Sequence, residues 1–161
     1  MCLEIERKFI VNSVPKRLVS KKEEIEQIYL SLSPDIRVRK STSDPMLPPI
    51  HVLTVKHGEG MIRNEVSIFL DITPEKYNEL RLVSIGSPIL KTRYTIPHEY
   101  EVIVDEYHGK LSGLIVAEVE FPDIESANNF EPFEWMAKEV TDDSRYQNRV
   151  LAVCGLDEVS A

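Results

Sequence analysis

Alternation with period two governs this chain. Eight segments, at roughly 3–11, 25–32, 35–41, 50–57, 62–70, 89–96, 99–107 and 113–121, place apolar residues on one side and charged residues on the other. Side chains two apart on a strand share a face, so this is the pattern of strands whose two faces meet different surroundings. Turn signals separate the segments: Ser33-Pro34-Asp35, Ser43-Asp44-Pro45 through Pro49, Gly58-Glu59-Gly60, Ile96-Pro97-His98 and His108-Gly109-Lys110. Helix signals are few. Thr73-Pro74-Glu75 supplies an N-cap, a proline at the first position and an acid in the first turn, which predicts a helix to about Val83 ending before Gly86. Short helices are expected over 123–130 and from 142 or 143 to 154, the last stopped by Gly155. Residues 15–24 fit either a short helix or a loop. The fold class is mainly β (α+β), as a sandwich or a barrel.

The polar faces decide between these. Glu4, Glu6 and Lys8 oppose Leu3, Ile5 and Phe9, and Arg37 and Arg39 oppose Ile36 and Val38. Thr54 and Lys56 oppose Leu53 and Val55, and Arg63 and Glu65 oppose Ile62 and Val66. Lys91 and Arg93 alternate with Tyr94 and Ile96, Asp105 with Val102 and Val104, and Glu118 and Glu120 with Ala117, Val119 and Phe121. One such face is easily a solvated surface with weak cross-strand ion pairs. Sorted charge on this many strands points instead to one shared lumen, with the apolar faces turned outward against helices and loops. The expected architecture is thus an eight-stranded antiparallel β-barrel with a few packing helices, including one at the C-terminus.

Charges removed from water are costly unless they have partners. The arginine-rich cations suit a ligand with several phosphates, because the planar guanidinium grips phosphate oxygens with two bonds. Carboxylates beside a polyanion call for a divalent cation between them, and oxygen-only ligation favours Mg²⁺ or Mn²⁺. Two Glu-x-Glu pairs, 4/6 and 118/120, each place carboxylates about 7 Å apart on one face. Together these residues divide the expected lumen into a metal side and a phosphate side.

At 161 residues the chain suits one domain spanning 1–161. A net charge of −8 argues against a general nucleic-acid or membrane-surface binder, but says nothing about an enclosed pocket. No apolar run is long enough to span a bilayer, and Met1-Cys2-Leu3-Glu4 has neither the basic nor the apolar region of a secretory signal. Cys2 and Cys154 fit no metal-ligand spacing and read as free thiols, so a cytoplasmic protein is expected. His51, His57, His98 and His108 read as surface residues in turns or strand ends. Phe133 and Trp135 read as packing beneath the terminal helix, and Asp142-Asp143 as a helix start.

Glu4-Ile5-Glu6-Arg7-Lys8-Phe9 resembles the ExExK signature of the CYTH domain, also called the triphosphate tunnel metalloenzyme superfamily. Gln27-Ile28-Tyr29-Leu30 resembles its second strand, Arg37-Val38-Arg39 its RxR element, and the run from Lys56 to Glu65 its K-x-G-x-G-x-x-R-x-E hairpin. Lys91-Thr92-Arg93, Asp105 and Glu118-Val119-Glu120 follow in order. Glu139-Val140-Thr141 and Arg145-Tyr146-Gln147-Asn148 resemble the C-terminal helix of the short bacterial members. The resemblance implies an antiparallel tunnel around a linear triphosphate with essential Mg²⁺ or Mn²⁺. It implies metal handling by Glu4, Glu6, Asp105, Glu118 and Glu120. Lys8, Arg37, Arg39, Lys56, Arg63, Lys91 and Arg93 would hold phosphates, with Arg145 in place of a lysine that close relatives carry where Ser144 stands. Glu4, Glu6 and Lys8 would be catalytic, and Glu65 supporting.

The resemblance further implies a metal-dependent triphosphatase, acting on inorganic triphosphate in the minimal bacterial type. Its alternatives are a nucleoside or thiamine triphosphatase, a class IV-type adenylate cyclase, and a polyphosphate-binding module without catalysis. The expected partner is a small-molecule triphosphate, with no nucleic acid and no membrane, and the protein a monomer or homodimer.

Overall fold

The computed structural model describes residues 2–58 and 61–157. Strands β1 (Cys2–Val11), β2 (Lys21–Leu32), β3 (Asp35–Thr42), β4 (Ile50–His57) and β5 (Ile62–Leu70) precede helix α1 (Pro74–Leu82). Then come β6 (Ile85–Ile96), β7 (Val102–Tyr107), β8 (Ile115–Glu120), α2 (Ile124–Asn129), β9 (Met136–Glu139) and α3 (Asn148–Cys154). The pairing order β5-β4-β3-β2-β6-β7-β8-β1 is antiparallel, and β1 also pairs with β5, so eight strands close on themselves. Closure removes the sheet edges that a sandwich would have to protect. The expected barrel is the observed one.

Closure rests on a divided β1. Its first half pairs with β5, with Glu4 opposite Arg63, while Glu6 to Ile10 pair with β8. Beyond the β5 contact, Phe9 to Val11 pair with β9, a ninth strand outside the expected set. Four residues are too few for alternation to signal a strand, and β9 exists because the end of β1 offers it an edge.

The apolar side chains gather in three clusters, two on the outward faces of the strands and one inside an end of the barrel. Ile5, Phe9, Val102, Val104, Ala117 and Val119 are covered by Phe121, Ala127 of α2, Phe130 and Met136. Phe133 and Trp135 stack at 5.4 Å against this cluster rather than under the terminal helix. Tyr29, Ile89, Tyr107 and Val116 meet Tyr146, Leu151 and Ala152, so α3 caps the end of the barrel where β6 begins. Gly86 permits that approach: its φ is +73°, and a Cβ there would lie 2.3 Å from the Ala152 carbonyl oxygen. Ile28 and Val38 are covered by Tyr77 of α1. Thr73 caps α1 as expected, its hydroxyl accepting from the Lys76 amide, and Pro74 opens the helix.

Three further departures from expectation have local causes. β2 begins at Lys21 because β6 is long enough to pair with it, from Lys21 opposite Thr95 onward. The terminal helix is shorter than expected, since 144–146 form a separate 3-10 turn capped by Asp143. His51 is a buried residue of β4, its ring 5.2 Å from that of Tyr77. Of the Gly58-Glu59-Gly60 turn, Glu59 and Gly60 lie outside the described residues, and Gly58 holds φ +115°. Among the described residues no helix is long and apolar enough to cross a membrane, and Cys154 is a free, exposed thiol.

Candidate active site

Because strand neighbours alternate sides, most of the charged strand residues identified above turn toward the barrel axis. There the side chains line a cavity of about 320 Å³. Its wall includes Glu4, Glu6 and Lys8 from β1, Arg37 and Arg39 from β3, Lys56 from β4, Arg63 and Glu65 from β5, Arg93 from β6 and Glu118 from β8.

Opposite charges interleave along this wall. Lys56 Nζ lies 2.8 Å from Glu65 and donates to both oxygens of Glu4 at 2.9 and 2.6 Å. Arg63 reaches Glu4 at 3.7 Å and also pairs with Glu6 through Nη2. Lys8 Nζ is 3.9 Å from Glu6 and 2.9 Å from Glu118, and Arg93 is 3.6 Å from Glu118. The register produces this order: Glu4 faces Arg63 across β1 and β5, and Lys8 faces Glu118 across β1 and β8. The acids therefore do not stand apart as a metal side; Lys8, Lys56 and Arg63 are set between them.

Electrostatics follows the same order. Burial alone would raise Glu118, but Lys8, Arg93 and Lys91 outweigh it and hold the carboxyl well below its ordinary value. Burial also works to raise Glu65, yet the Lys56 ammonium and the Ser67 hydroxyl bring it down to about 2. Arg39 is the exception. Burial, then repulsion from Arg93 and Arg37, lowers its pKa, and its buried Nε has no hydrogen-bond partner. Arg37 Nε is likewise buried without a partner. Burial works to lower the Arg37 pKa, but Tyr29, Asp35 and Glu65 outweigh it and raise it, so it is the Arg39 guanidinium that is left under-compensated, a group suited to an anion.

Four expected residues do not line this cavity. Asp105 is sealed in the wall behind it, with Lys91 Nζ at 2.5 Å and Arg93 donating from Nε at 2.8 Å and Nη2 at 2.7 Å, so its oxygens are committed to cations. Lys91 is buried with Asp105, and burial pushes its pKa down to about 8. Glu120 ends β8 in an exposed position, where burial, Glu4 and Glu101 raise its pKa. Arg145 folds back on Asp143, donating from Nε at 2.9 Å and Nη2 at 2.8 Å. Among the described residues, no group of three or more His, Cys, Asp or Glu side chains stands ready to hold a metal ion.

The cavity also holds residues that sequence reasoning did not select. Tyr29, Asp35, His57, Gln147, Asn148 and Arg149 all line it. Asp35 was open to discovery, since it precedes Arg37 by two and shares its face. Arg149, whose Nε donates to Gln147 Oε1 at 2.8 Å, comes from the first turn of α3, where no strand period could have placed it. Arg149, rather than Arg145, is thus the terminal-helix cation at the cavity.

These features define a closed antiparallel barrel whose lumen interleaves arginines and lysines with glutamates. No protein-family model matches the chain. It is 33% identical over 155 residues to an inorganic triphosphatase of Nitrosomonas europaea, covering 93% of this chain and 97% of that protein. It is 32% identical to an inorganic triphosphatase of Acetivibrio thermocellus, covering 92% of each. The crystal structure of the inorganic triphosphatase NE1496 superposes with a TM-score of 0.67 at 30% identity, over 95% of this chain and 96% of that one. The chain belongs to the inorganic triphosphatase family.

Proposed function

We propose that this protein hydrolyses inorganic triphosphate to pyrophosphate and phosphate inside the barrel, as a short member of the triphosphate tunnel metalloenzyme (CYTH) superfamily. The observation that carries this reading is the cavity wall itself: Arg37 and an under-compensated Arg39 on β3 share one cavity with Glu4, Glu6 and Glu118 on β1 and β8. The relatives named above, inorganic triphosphatases matched over nearly their whole length, support the same reaction.

The donor set suits a hard divalent cation. Glu4, Glu6 and Glu118 line one cavity with the oxygen donors that Mg²⁺ or Mn²⁺ would take, and would have to give up their pairing with Lys8, Lys56 and Arg63 to hold it, whereas Asp105 and Glu120 do not line the cavity. Such an ion would supply positive charge to phosphate oxygens and carboxylates together. Arg37, Arg39 and Arg93 grip the phosphate oxygens, and Lys8, Lys56 and Arg63 exchange carboxylate for phosphate contacts as the substrate enters. Water attacks the terminal phosphorus, the bond to the bridging oxygen breaks, and pyrophosphate leaves. Catalysis here is positioning plus electrostatic stabilisation by groups already fixed in the wall.

The test supplies inorganic triphosphate, ATP and thiamine triphosphate with Mg²⁺, Mn²⁺ or EDTA, and measures phosphate, pyrophosphate and cyclic AMP. Inorganic triphosphate should be turned over fastest, and Glu4→Gln and Glu6→Gln should abolish turnover in folded protein. Normal turnover in both variants, or cyclic AMP as the main product from ATP, would defeat this reading.

A further inference from the structure

At one rim of the cavity the β2–β3 turn meets the first turn of α3, where Gln147, Asn148 and Arg149 follow one another. Two of the three are engaged with protein groups there. Gln147 Oε1 accepts from Arg149 Nε at 2.8 Å, and Arg149 Nη1 donates to the Leu32 carbonyl at 3.4 Å. Asn148 is held differently. It is 9% exposed and lines the cavity, and its Oδ1 accepts from the Tyr107 hydroxyl at 2.7 Å.

Tyr107 stands behind the wall rather than in it. It is 2% exposed on β7, packed with Tyr29, Ile89 and Val116 inside the end of the barrel that α3 caps, and it does not line the cavity. A phenol keeps its proton at neutral pH and has one hydrogen to give, which Asn148 Oδ1 takes. That bond fixes which way round the amide sits. The two N–H groups of Asn148 Nδ2 stay uncommitted, since among the described residues they meet no hydrogen-bond acceptor. Nor is Nδ2 sealed from solvent as the Nε atoms of Arg37 and Arg39 are, so its open side is the cavity.

We propose that Asn148 is a phosphate-binding residue of this site, an uncharged donor whose amide Tyr107 holds in place as a positioning residue. The inference rests on the triphosphate reading above. Lys8, Lys56 and Arg63 must leave Glu118, Glu4 and Glu6 before they can serve a phosphate oxygen. The Asn148 amide nitrogen has no such contact to break. Phosphate oxygens are strong acceptors of N–H groups, and an amide already oriented by a buried bond loses little freedom when it binds one. Such a donor needs no reorganisation when the ligand enters.

The experiment compares Asn148→Ala, Tyr107→Phe and the double variant with the wild-type protein. It measures calorimetric affinity for inorganic triphosphate in EDTA, kcat and KM with Mg²⁺, and the urea midpoint. Asn148→Ala should weaken triphosphate binding about tenfold, as loss of one hydrogen bond to a charged acceptor does, with KM rising in step. Tyr107→Phe removes a single oxygen from a packed ring and should weaken binding about threefold, although Tyr107 does not reach the cavity. In the double variant the missing hydroxyl should add nothing to the Asn148→Ala loss, because Tyr107 acts through Asn148. Wild-type affinity in Asn148→Ala, or additive losses in the double variant, would overturn the proposal. So would Tyr107→Phe with unchanged affinity and KM at a lowered urea midpoint, the result that a merely structural bond between α3 and β7 gives. If Asn148→Ala does not fold, Tyr107→Phe decides by itself. If the wild-type protein neither binds nor hydrolyses triphosphate, the functional reading falls and this inference with it; if it does both and neither substitution changes them, only the role of Asn148 falls.

Discussion

The Lys91 ammonium lies 2.5 Å from Asp105 Oδ2, with both side chains about 1% exposed. Arg93 closes on the same carboxylate from the cavity side, so one buried acid anchors two cations in neighbouring positions of β6. Removing one member of such a group strands the others in a low-dielectric wall. Asp105→Asn is expected to destabilise the protein by about 3 kcal/mol or more, read from urea unfolding. Loss of activity at an unchanged unfolding midpoint would show that Asp105 serves the ligand directly instead.

Arg39 should show the opposite balance. Burial and the neighbouring Arg93 and Arg37 charges work against its guanidinium, and its buried Nε has no partner. Arg39→Met is expected to gain about 1 kcal/mol of stability while weakening inorganic triphosphate binding at least about tenfold. Calorimetric titration alongside thermal unfolding measures both, and a variant that loses stability as well as affinity would contradict this account.

Acid should loosen the contact between α1 and the barrel through His51. Burial, then the Lys40 charge, lowers the His51 pKa from its ordinary 6.5, and its Nε2 is buried without a partner. A folded pKa below the unfolded one means that the unfolded chain binds the proton more readily. The resulting stability is present above about pH 6.5 and is lost as the pH falls through the lower folded value. From about pH 7 to about pH 5 the wild-type Tm should therefore fall more steeply than that of His51→Phe. Parallel curves would show that another group carries the slope.

Arg7 tests the outer face of the first motif. Its Nε and Nη2 donate to Glu139 at 2.8 and 2.7 Å, and Nη1 donates to the carbonyls of Ala127 and Phe130, both at 2.9 Å. The guanidinium thereby ties β1 to β9 and to the end of α2, 5.2 Å from the Phe9 ring centre. Lysine keeps the charge but cannot make this fork. With Glu139 two-fifths exposed, Arg7→Lys is expected to cost about 1–2 kcal/mol, with kcat per folded molecule unchanged. A variant as stable as the wild type would show that charge alone suffices there.

The fold was legible because alternation is a local property. Ile5 and Glu6 are neighbours in sequence, and the pleat alone sends one to the outer core and the other to the lumen. Thr73 and Pro74 announced α1 for the same reason, since capping is settled within one turn. Where a feature depended on distant partners, local pattern failed. β9 is a strand because β1 outruns β5, and His51 is buried because α1 folds back over it.

The site divides along the same line. Residue spacing alone determined that Glu4, Glu6, Lys8, Arg37, Arg39, Lys56, Arg63, Glu65, Arg93 and Glu118 would face inward, because a strand's period fixes which side chains share a face. Only the tertiary structure decided which charge meets which. The stagger of closed strands sets Lys56 against Glu4, withdraws Asp105 behind Arg93, and brings Arg149 rather than Arg145 to the rim. Pairing across a barrel depends on register, and register belongs to the closed sheet rather than to any one strand.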